Sequence, residues 1–283
     1  KGGEFDEWIK IAREKLFEVA GALTNQKFDN QVLLVGTGGR YEFKNKGIDL
    51  FIDAMGTLNK SQKLDGTVLA FILIPANHYG PRKDLLNILN QTESSNSGGK
   101  ILTHNLHDID FDPIIKRIKE VGLTNEREHK VKIFFVPSYL NGNDGIFNIP
   151  YYQVLSGLDL SIFPSYYEPW GYTPLESLAF GVSTITTTLA GFGLWVLESR
   201  VNKEAITIIE RNDENDASVI ILISDRVLEY SKMSVEHAKY LKTKASELSR
   251  TTLWKNFISY YLKAYSKALI KVSERSGQHV EKE

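Results

Sequence analysis

Short apolar runs alternate with helical patterns along most of this chain. The runs are rich in β-branched residues and are bounded by turn residues, which is typical of buried strands. The predicted strands are Val32–Val35, Val68–Ile74, Val131–Val136, Leu158–Phe163, Ser183–Thr187 and, with a weaker pattern, Ile206–Ile209. The predicted helices between them are Ile48–Leu58, Arg82–Asn90, Pro113–Val121, Tyr151–Gly157 and Pro174–Phe180.

This alternation predicts an α/β fold. Repeated βαβ units give a mostly parallel, Rossmann-like sheet with helices on both faces. Ligands of such sheets bind at the carboxyl ends of the strands, near the point where the strand order reverses. Two loops meet that condition, one after the strand Val32–Val35 and one after the strand Leu158–Phe163.

Both ends of the chain have the pattern of amphipathic helices, over residues 4–23 and 251–272. The last helix carries aromatic and aliphatic residues at a spacing of three to four. Two interpretations of this stripe stay open: it packs on the domain's own core, or it packs on a neighbour. The polar segment Glu93–Lys100 is interpreted as an exposed insertion, so residues 1–283 are expected to form one domain.

Composition excludes several classes of function. The net charge is −1, from 34 basic and 35 acidic residues, so no overall field attracts nucleic acid or an anionic membrane. The apolar runs are too short to cross a bilayer. Cysteine is absent, which excludes disulfides and thiolate chemistry and fits a reducing, cytoplasmic location.

The stretch Phe163–Glu176 has the features of a loop that leads into a helix. Thr173 suits the capping position, Pro174 the first helical position, and Glu176 the place from which a carboxylate reaches back to the cap. A helix start presents free N–H groups and the positive end of its dipole, which favour a phosphate. Because a second acid, Glu168, lies ahead of this start, the stretch predicts a site for a sugar nucleotide.

Glycines also follow the first predicted strand, within Val35–Tyr41. The third glycine of a dinucleotide fingerprint would fall at position 41, where tyrosine stands, so the spacing argues against an NAD-dependent oxidoreductase. Arg40 and Lys46 lie on the turn that leads into the next helix and have the charges that hold a diphosphate. The alternative is that both are solvated surface cations.

The histidines and acids near position 104 are the residue types of a metal site. The segment His104–Asp110 reads His-x-x-His-Asp-x-Asp, which is not the spacing of a known metal site. We therefore expect no metal and no other cofactor.

The segments Arg40–Gly47 and Phe163–Glu176 together resemble the glycogen synthases of the animal and fungal type, family 3 of the retaining glycosyltransferases. The resemblance spans most of residues 4–200, in order. Further matching segments are Thr103–Asn105, Asp112–Ile114, Leu123–Asn125, Val131–Lys132 and Thr188–Gly193.

The resemblance implies a role for each matching residue. Arg40 and Lys46 would neutralise the leaving diphosphate, and Glu168 would contact hydroxyls of the transferred glucose, so these three are the candidate catalytic residues. The candidate donor-binding residues are Tyr151 at the uracil, Gly171, Tyr172 and Thr173 at the phosphates, Glu176 at the ribose, and Trp170. Two of them keep a structural alternative, since Glu176 also fits a helix cap and Tyr151 also fits the core.

The resemblance also implies the GT-B architecture, in which two Rossmann-like domains face each other. This chain matches the second domain, which binds the donor nucleotide, and the N-terminal acceptor domain is expected to be absent. The implied partners are UDP-glucose and, through the missing domain, a glucan acceptor that receives glucose at its non-reducing end. We expect the fragment alone to transfer no glucose.

Two other functions remain as alternatives: another retaining GT-B glycosyltransferase and a non-catalytic module that binds a nucleotide sugar. The family also carries an arginine-dense helix that senses glucose 6-phosphate, whereas the corresponding region here, Asp225–Arg250, has few arginines. Activation by a sugar phosphate is therefore not expected, and the sequence leaves open whether the full-length protein is a homo-oligomer.

Overall fold

A computed structural model of the chain describes residues 2–92 and 99–276. Its strands, in chain order, are β1 Leu33–Gly38, β2 Val68–Leu73, β3 His78–Pro81, β4 His104–Leu106, β5 Val131–Val136, β6 Leu160–Ile162, β7 Ser183–Thr187 and β8 Ile206–Ile209. Its helices are α1 Gly2–Thr24, α2 Ile48–Asn59, α3 Lys83–Leu89, α4 Pro113–Val121, α5 Tyr151–Ser156, α6 Tyr172–Ala179, α7 Gly191–Glu198, α8 Asp216–Ser231, α9 Val235–Thr251 and α10 Trp254–Ser276.

Six of the strands form one sheet in the order β5-β2-β1-β6-β7-β8, and each neighbouring pair is parallel. Helices cover both faces. One face packs on α2, α4 and α8, and the other packs on α1 and α5. The predicted α/β fold with a parallel sheet and helices on both faces is therefore confirmed.

Most predicted boundaries lie within a few residues of the observed ones. β5, β7, β8 and α4 have the predicted bounds. The first strand is longer than predicted, because β1 continues through Gly36 to Gly38. A Cβ on Gly36 would lie 2.7 Å from Leu158, and one on Gly38 would lie 2.7 Å from the Tyr151 hydroxyl. These two glycines therefore belong to the strand, and their lack of a side chain lets Leu158 and Tyr151 pack closely against it.

Several elements were not delimited from the sequence. β3 and β4 form a separate antiparallel pair, and both are short and carry polar residues. The chain after β8 continues into α8 and α9, whose apolar residues pack on the sheet and on α6. The predicted insertion Glu93–Lys100 lies outside the described residues except for its last two positions.

Most of the stripe on the last helix does not pack on the domain's own core, which corrects the first of the two interpretations. Phe257 of α10 contacts the rings of Trp170 and Trp195. Several other large apolar side chains of the stripe are exposed, namely Trp254, Leu262, Tyr265 and Leu269. Within the described ranges, every helix is too short or too polar to cross a membrane.

Candidate functional site

The site lies where the strand order reverses. β1 and β6 are adjacent, with Val35 paired to Leu160. After β1 the chain turns toward β2, and after β6 it turns the opposite way toward β7. The loops 39–47 and 163–171 consequently leave neighbouring strands in diverging directions and form a crevice at the carboxyl edge of the sheet. This is the edge that the sequence predicts.

The two loops touch each other through their backbones. The N–H of Tyr166 donates a hydrogen bond to the carbonyl of Asn45, at 2.8 Å. Gly47 has a φ of 66° and caps the start of α2. A Cβ at this position would lie 1.9 Å from the carbonyl oxygen of Pro164. Only glycine allows this contact, since any side chain would push the loops apart.

Lys46 and Glu168 form an ion pair that joins the two loops. The Nζ of Lys46 donates to Oε2 of Glu168, and the two side chains are 12 % and 19 % exposed. The backbone of Glu168 is also held, because its N–H donates to the carbonyl of Leu189 at 3.1 Å and its own carbonyl accepts from Gly191 at 3.0 Å. A mostly buried carboxylate and a mostly buried ammonium group are thus fixed in the crevice.

Arg40 lies apart from this pair. Its side chain is 76 % exposed, and its guanidinium pairs with Glu42 at 3.1 Å. Lys44, on the same loop, pairs with the buried Asp49 at 2.6 Å. The structure therefore brings Lys46 and Glu168 together, whereas Arg40 stands at the rim of the crevice with its side chain in solvent.

Helix α6 begins one residue earlier than the predicted cap. Gly171 is the capping residue, with a φ of 99°, and within the described ranges the helix start has no side-chain cap. Thr173 therefore lies inside the helix, and the predicted capping box is wrong. Glycine occupies the capping position because the backbone enters the helix with a left-handed conformation, which is unfavourable for threonine.

Because the capping box is absent, Glu176 has a different partner. Its Oε1 accepts a hydrogen bond from the hydroxyl of Tyr152, at 2.9 Å. This bond raises the pKa of Tyr152 above its ordinary value, because the phenol stays protonated as the donor. The Tyr152 ring stacks on Phe180 at 5.1 Å. Glu176 is thus held on the outer side of α6 without serving as a cap.

The candidate uracil platform, Tyr151, packs inside the domain. It belongs to the apolar layer beneath the sheet, its hydroxyl lies against Gly38, and burial raises the pKa of the phenol well above its usual range. Its ring meets Tyr152 edge-on at 5.5 Å. The more accessible of the two aromatic rings is that of Tyr152.

The remaining candidates divide between packing and exposure. Trp170 packs edge-on against Phe192 at 5.7 Å and against Phe257 at 5.9 Å. Its backbone carbonyl accepts from the N–H of Phe192 at 2.6 Å, which ties the loop to α7. Tyr172, at the first position of α6, is by contrast exposed. Trp170 therefore fixes the shape of the loop, and Tyr172 lines its open side.

The sequence did not single out Arg211, a buried residue that contacts the loop 163–171 and holds it in place. It is 4 % exposed, donates from Nη1 to the carbonyl of Pro164, and pairs through Nη2 with Asp216 at 3.3 Å. Its guanidinium also lies 5.1 Å from the centre of the Tyr166 ring. The available signal was its place just after a predicted strand, where parallel sheets carry functional residues.

The histidine-rich segment is used in packing. The buried ring of His104 contacts the Thr103 hydroxyl at 2.8 Å and the carbonyl of Asp144 at 2.8 Å. Burial lowers the pKa of His104, so the ring is held neutral. Within the described residues, three or more metal-ligating side chains do not converge at any point.

Comparison with solved structures gives the same architecture. The catalytic domain of starch synthase IV from Arabidopsis thaliana, a structure with ADP and acarbose bound, superposes with a TM-score of 0.51 at 16 % identity. The match covers 90 % of this chain and 42 % of that one. It supports a GT-B glycosyltransferase fold.

Sequence comparison is more specific. Glycogen [starch] synthase isoform 1 of Saccharomyces cerevisiae is 30 % identical over 80 % of this chain, and the human liver glycogen [starch] synthase is 28 % identical over 82 % of it. The chain spans 41 % and 40 % of the length of these relatives. The family model described as glycogen synthase matches residues 4–87 and 81–283. Because this model matches nearly the whole length of the chain, the chain belongs to the glycogen synthase family.

Proposed function

We propose that this chain is the donor-binding half of a retaining glucosyltransferase that moves glucose from UDP-glucose to the non-reducing end of an α-1,4-glucan. The observation that carries the proposal is the ion pair between Lys46 and Glu168 in the crevice. A cation and a carboxylate held side by side match a donor whose phosphates are anionic and whose glucose carries hydroxyls.

The charges suit the reaction. As the bond between glucose and diphosphate breaks, negative charge collects on the diphosphate and positive charge grows on the sugar. The ammonium of Lys46 stabilises the first, and the carboxylate of Glu168 orients hydroxyls and favours the second. Donor binding would separate the two groups. Without the donor, the ion pair avoids the energetic cost of burying either charge without a partner.

The start of α6 supplies the second part of the phosphate site. Its first-turn N–H groups lack a side-chain cap among the described residues, and the positive end of the helix dipole faces the loop that holds Glu168. We assign Gly171, Tyr172 and Thr173 to the phosphates through these backbone groups. Arg40, which is exposed at the rim and paired there with Glu42, exchanges this partner for the diphosphate in the same scheme.

The uridine lies farther along the crevice in this proposal. Glu176 contacts the ribose, a role supported by its freedom from capping. Tyr151 borders the uracil, with the exposed ring of Tyr152 beside it. Trp170 contributes by fixing the loop through its aromatic packing.

The proposal makes this chain one wall of a larger cleft. The chain spans 41 % of the length of the Saccharomyces cerevisiae relative, so we expect it by itself to bind UDP and to transfer no glucose. The proposal places the complete enzyme in the cytoplasm, a reducing compartment that suits a sequence without cysteine.

Isothermal titration with UDP, ADP, GDP and NAD tests the proposal. We expect UDP to bind most tightly and UDP-glucose to bind at least as well. Tighter binding of ADP would point to another retaining glycosyltransferase, and binding of NAD in place of UDP would overturn the proposal. Measured glucose transfer by this chain alone would contradict its role as half of a cleft.

A further inference from the structure

A second cavity lies beside the donor loop and is used by none of the residues assigned above. Its volume is about 500 Å³, within the range of small-molecule sites. Tyr41, which directly follows Arg40, forms part of its wall together with residues that follow β2, β4 and β5. It therefore opens at the same carboxyl edge of the sheet as the crevice.

Two aromatic rings at the cavity are unusually exposed. The side chain of Phe111 is 86 % exposed and that of Tyr139 is 76 % exposed, and both line the cavity. Large rings that protrude from a cavity wall keep apolar surface in water, which burial by a ligand would recover. Their flat faces fit the apolar C–H face of a sugar ring.

The polar lining points to a neutral, hydroxyl-rich ligand. Asn77 and Asp108 line the cavity, are exposed, and make no side-chain hydrogen bond with the described residues. Lysine and arginine are absent from the lining among the described residues, so nothing there attracts a phosphate. An amide and a carboxylate next to aromatic faces match sugar hydroxyls.

The cavity has firm walls. The hydroxyl of Tyr41 donates to Oδ2 of Asp112 at 2.5 Å, while Oδ1 of Asp112 accepts from the N–H of Ile115 and caps α4 at 2.9 Å. The N–H of His107 donates to the backbone carbonyl of Asn77 at 3.2 Å and joins the other side. The site is thus already formed, so ligand binding requires little further ordering of its side chains and loops.

We propose that this cavity holds a glucose unit of the glucan acceptor, stacked between Phe111 and Tyr139 and hydrogen-bonded to Asp108 and Asn77. The inference rests on the proposed function, from which it takes the acceptor, and it assigns part of acceptor binding to this chain. The donor loop connects the two sites through the neighbouring residues Arg40 and Tyr41.

Titration of the chain with maltoheptaose, followed by NMR of the aromatic side chains, tests this site. We expect millimolar or tighter binding that perturbs Phe111 and Tyr139. Phe111→Ala and Tyr139→Ala should each weaken it by about three- to tenfold, since each removes one stacking face. The matched control is Tyr260→Ala on α10, whose ring is 63 % exposed and lies outside the cavity; it should leave binding unchanged.

UDP titration of the same variants separates this inference from the proposed function. Unchanged UDP affinity with weakened maltoheptaose binding supports both. The inference is overturned if the unaltered chain binds UDP but no maltoheptaose. It is also overturned if the two cavity variants bind maltoheptaose as tightly as the unaltered chain does. In both cases the proposed function stands. If maltoheptaose binds as expected and UDP does not bind, the proposed function fails alone. Occupation of the cavity by tetramethylammonium instead of the sugar would also overturn the inference.

Discussion

Lys46 donates a hydrogen bond from its Nζ to Oε2 of Glu168, across 122 positions of the sequence. The two residues leave adjacent parallel strands, so their loops meet at the edge of the sheet. The pair neutralises two mostly buried charges. In the proposed complex the same two groups face opposite ends of the bond that breaks.

Removing the cations should weaken UDP binding. We expect Lys46→Ala and Arg40→Ala each to lower the affinity by about 1–3 kcal/mol, because each removes a charge-assisted hydrogen bond to the diphosphate. Lys63→Ala, an exposed lysine in the turn between α2 and β2 at the opposite edge of the sheet, is the control and should bind UDP normally. Titration calorimetry measures all three; unchanged affinity in both site variants would remove the diphosphate clamp.

Glu168→Gln should separate sugar recognition from nucleotide recognition. The neutral amide no longer competes for Lys46, so UDP should bind as tightly as before or more tightly. The carboxylate that orients the glucose hydroxyls is lost, so any advantage of UDP-glucose over UDP should fall. The measurement is the ratio of the two affinities, with the exposed Glu236→Gln as control. A loss of UDP affinity with an unchanged ratio would place Glu168 at the nucleotide.

Gly47→Ala should destabilise the fold more than the matched change Gly122→Ala. Both glycines adopt left-handed backbone conformations, with φ of 66° and 79°, so both changes carry a conformational cost of about 1–2 kcal/mol. Open space surrounds Gly122, whereas a Cβ on Gly47 meets the Pro164 carbonyl. Urea unfolding should show the larger loss for Gly47→Ala, and equal losses would mean that the two loops are not in tight contact.

Thr173→Ala should leave stability almost unchanged, within about 0.5 kcal/mol, as expected for a residue that does not cap. The positive control is Ser234→Ala, because the Ser234 hydroxyl accepts from the N–H of His237 at 3.2 Å and caps α9. That change should cost about 0.5–2 kcal/mol. A cost for Thr173→Ala as large as that of Ser234→Ala would restore the capping box.

The buried Lys132 should make stability rise with pH in the alkaline range. It is 1 % exposed, donates to the carbonyl of Glu126, and burial lowers its pKa to about 8. Between about pH 8 and its unfolded value near 10.4, the unfolded chain binds more protons than the folded one. The free energy of unfolding therefore increases with pH over this window.

Lys132→Met removes this titration while keeping the length of the side chain. Urea unfolding between pH 7.5 and 10 should show a rise for the unaltered chain relative to the variant. Parallel profiles would mean that the ammonium group of Lys132 is as well solvated in the folded state as in the unfolded one.

Local patterns were sufficient for the architecture. Buried strands such as Val68–Leu73 have uninterrupted apolar runs, and Pro113–Val121 carries its own start and stop in Asp112 and Gly122. The parallel sheet follows from the alternation of such elements. The sequence also singled out the two loops of the candidate site, since each follows a strand and carries charged residues, and the structure shows that these loops meet.

Local patterns were not sufficient where two conformations compete. Thr173, Pro174 and Glu176 have the order of a capping box, yet the chain enters the helix through Gly171 because the preceding loop is tied to α7. The periodicity of α10 correctly predicted a helix. It did not predict that its stripe faces solvent, since periodicity gives the direction of a face and not what covers it.

The sequence by itself determined the elements, the sheet edge that carries the site, and the residue types present there. Only the tertiary structure decided which of them meet. Lys46 is paired with Glu168 while Arg40 stands in solvent, and Arg211, which no motif marks, supports the loop from behind. The physical reason is that pairing depends on the strand order β1-β6, and that order is set by packing across the whole sheet.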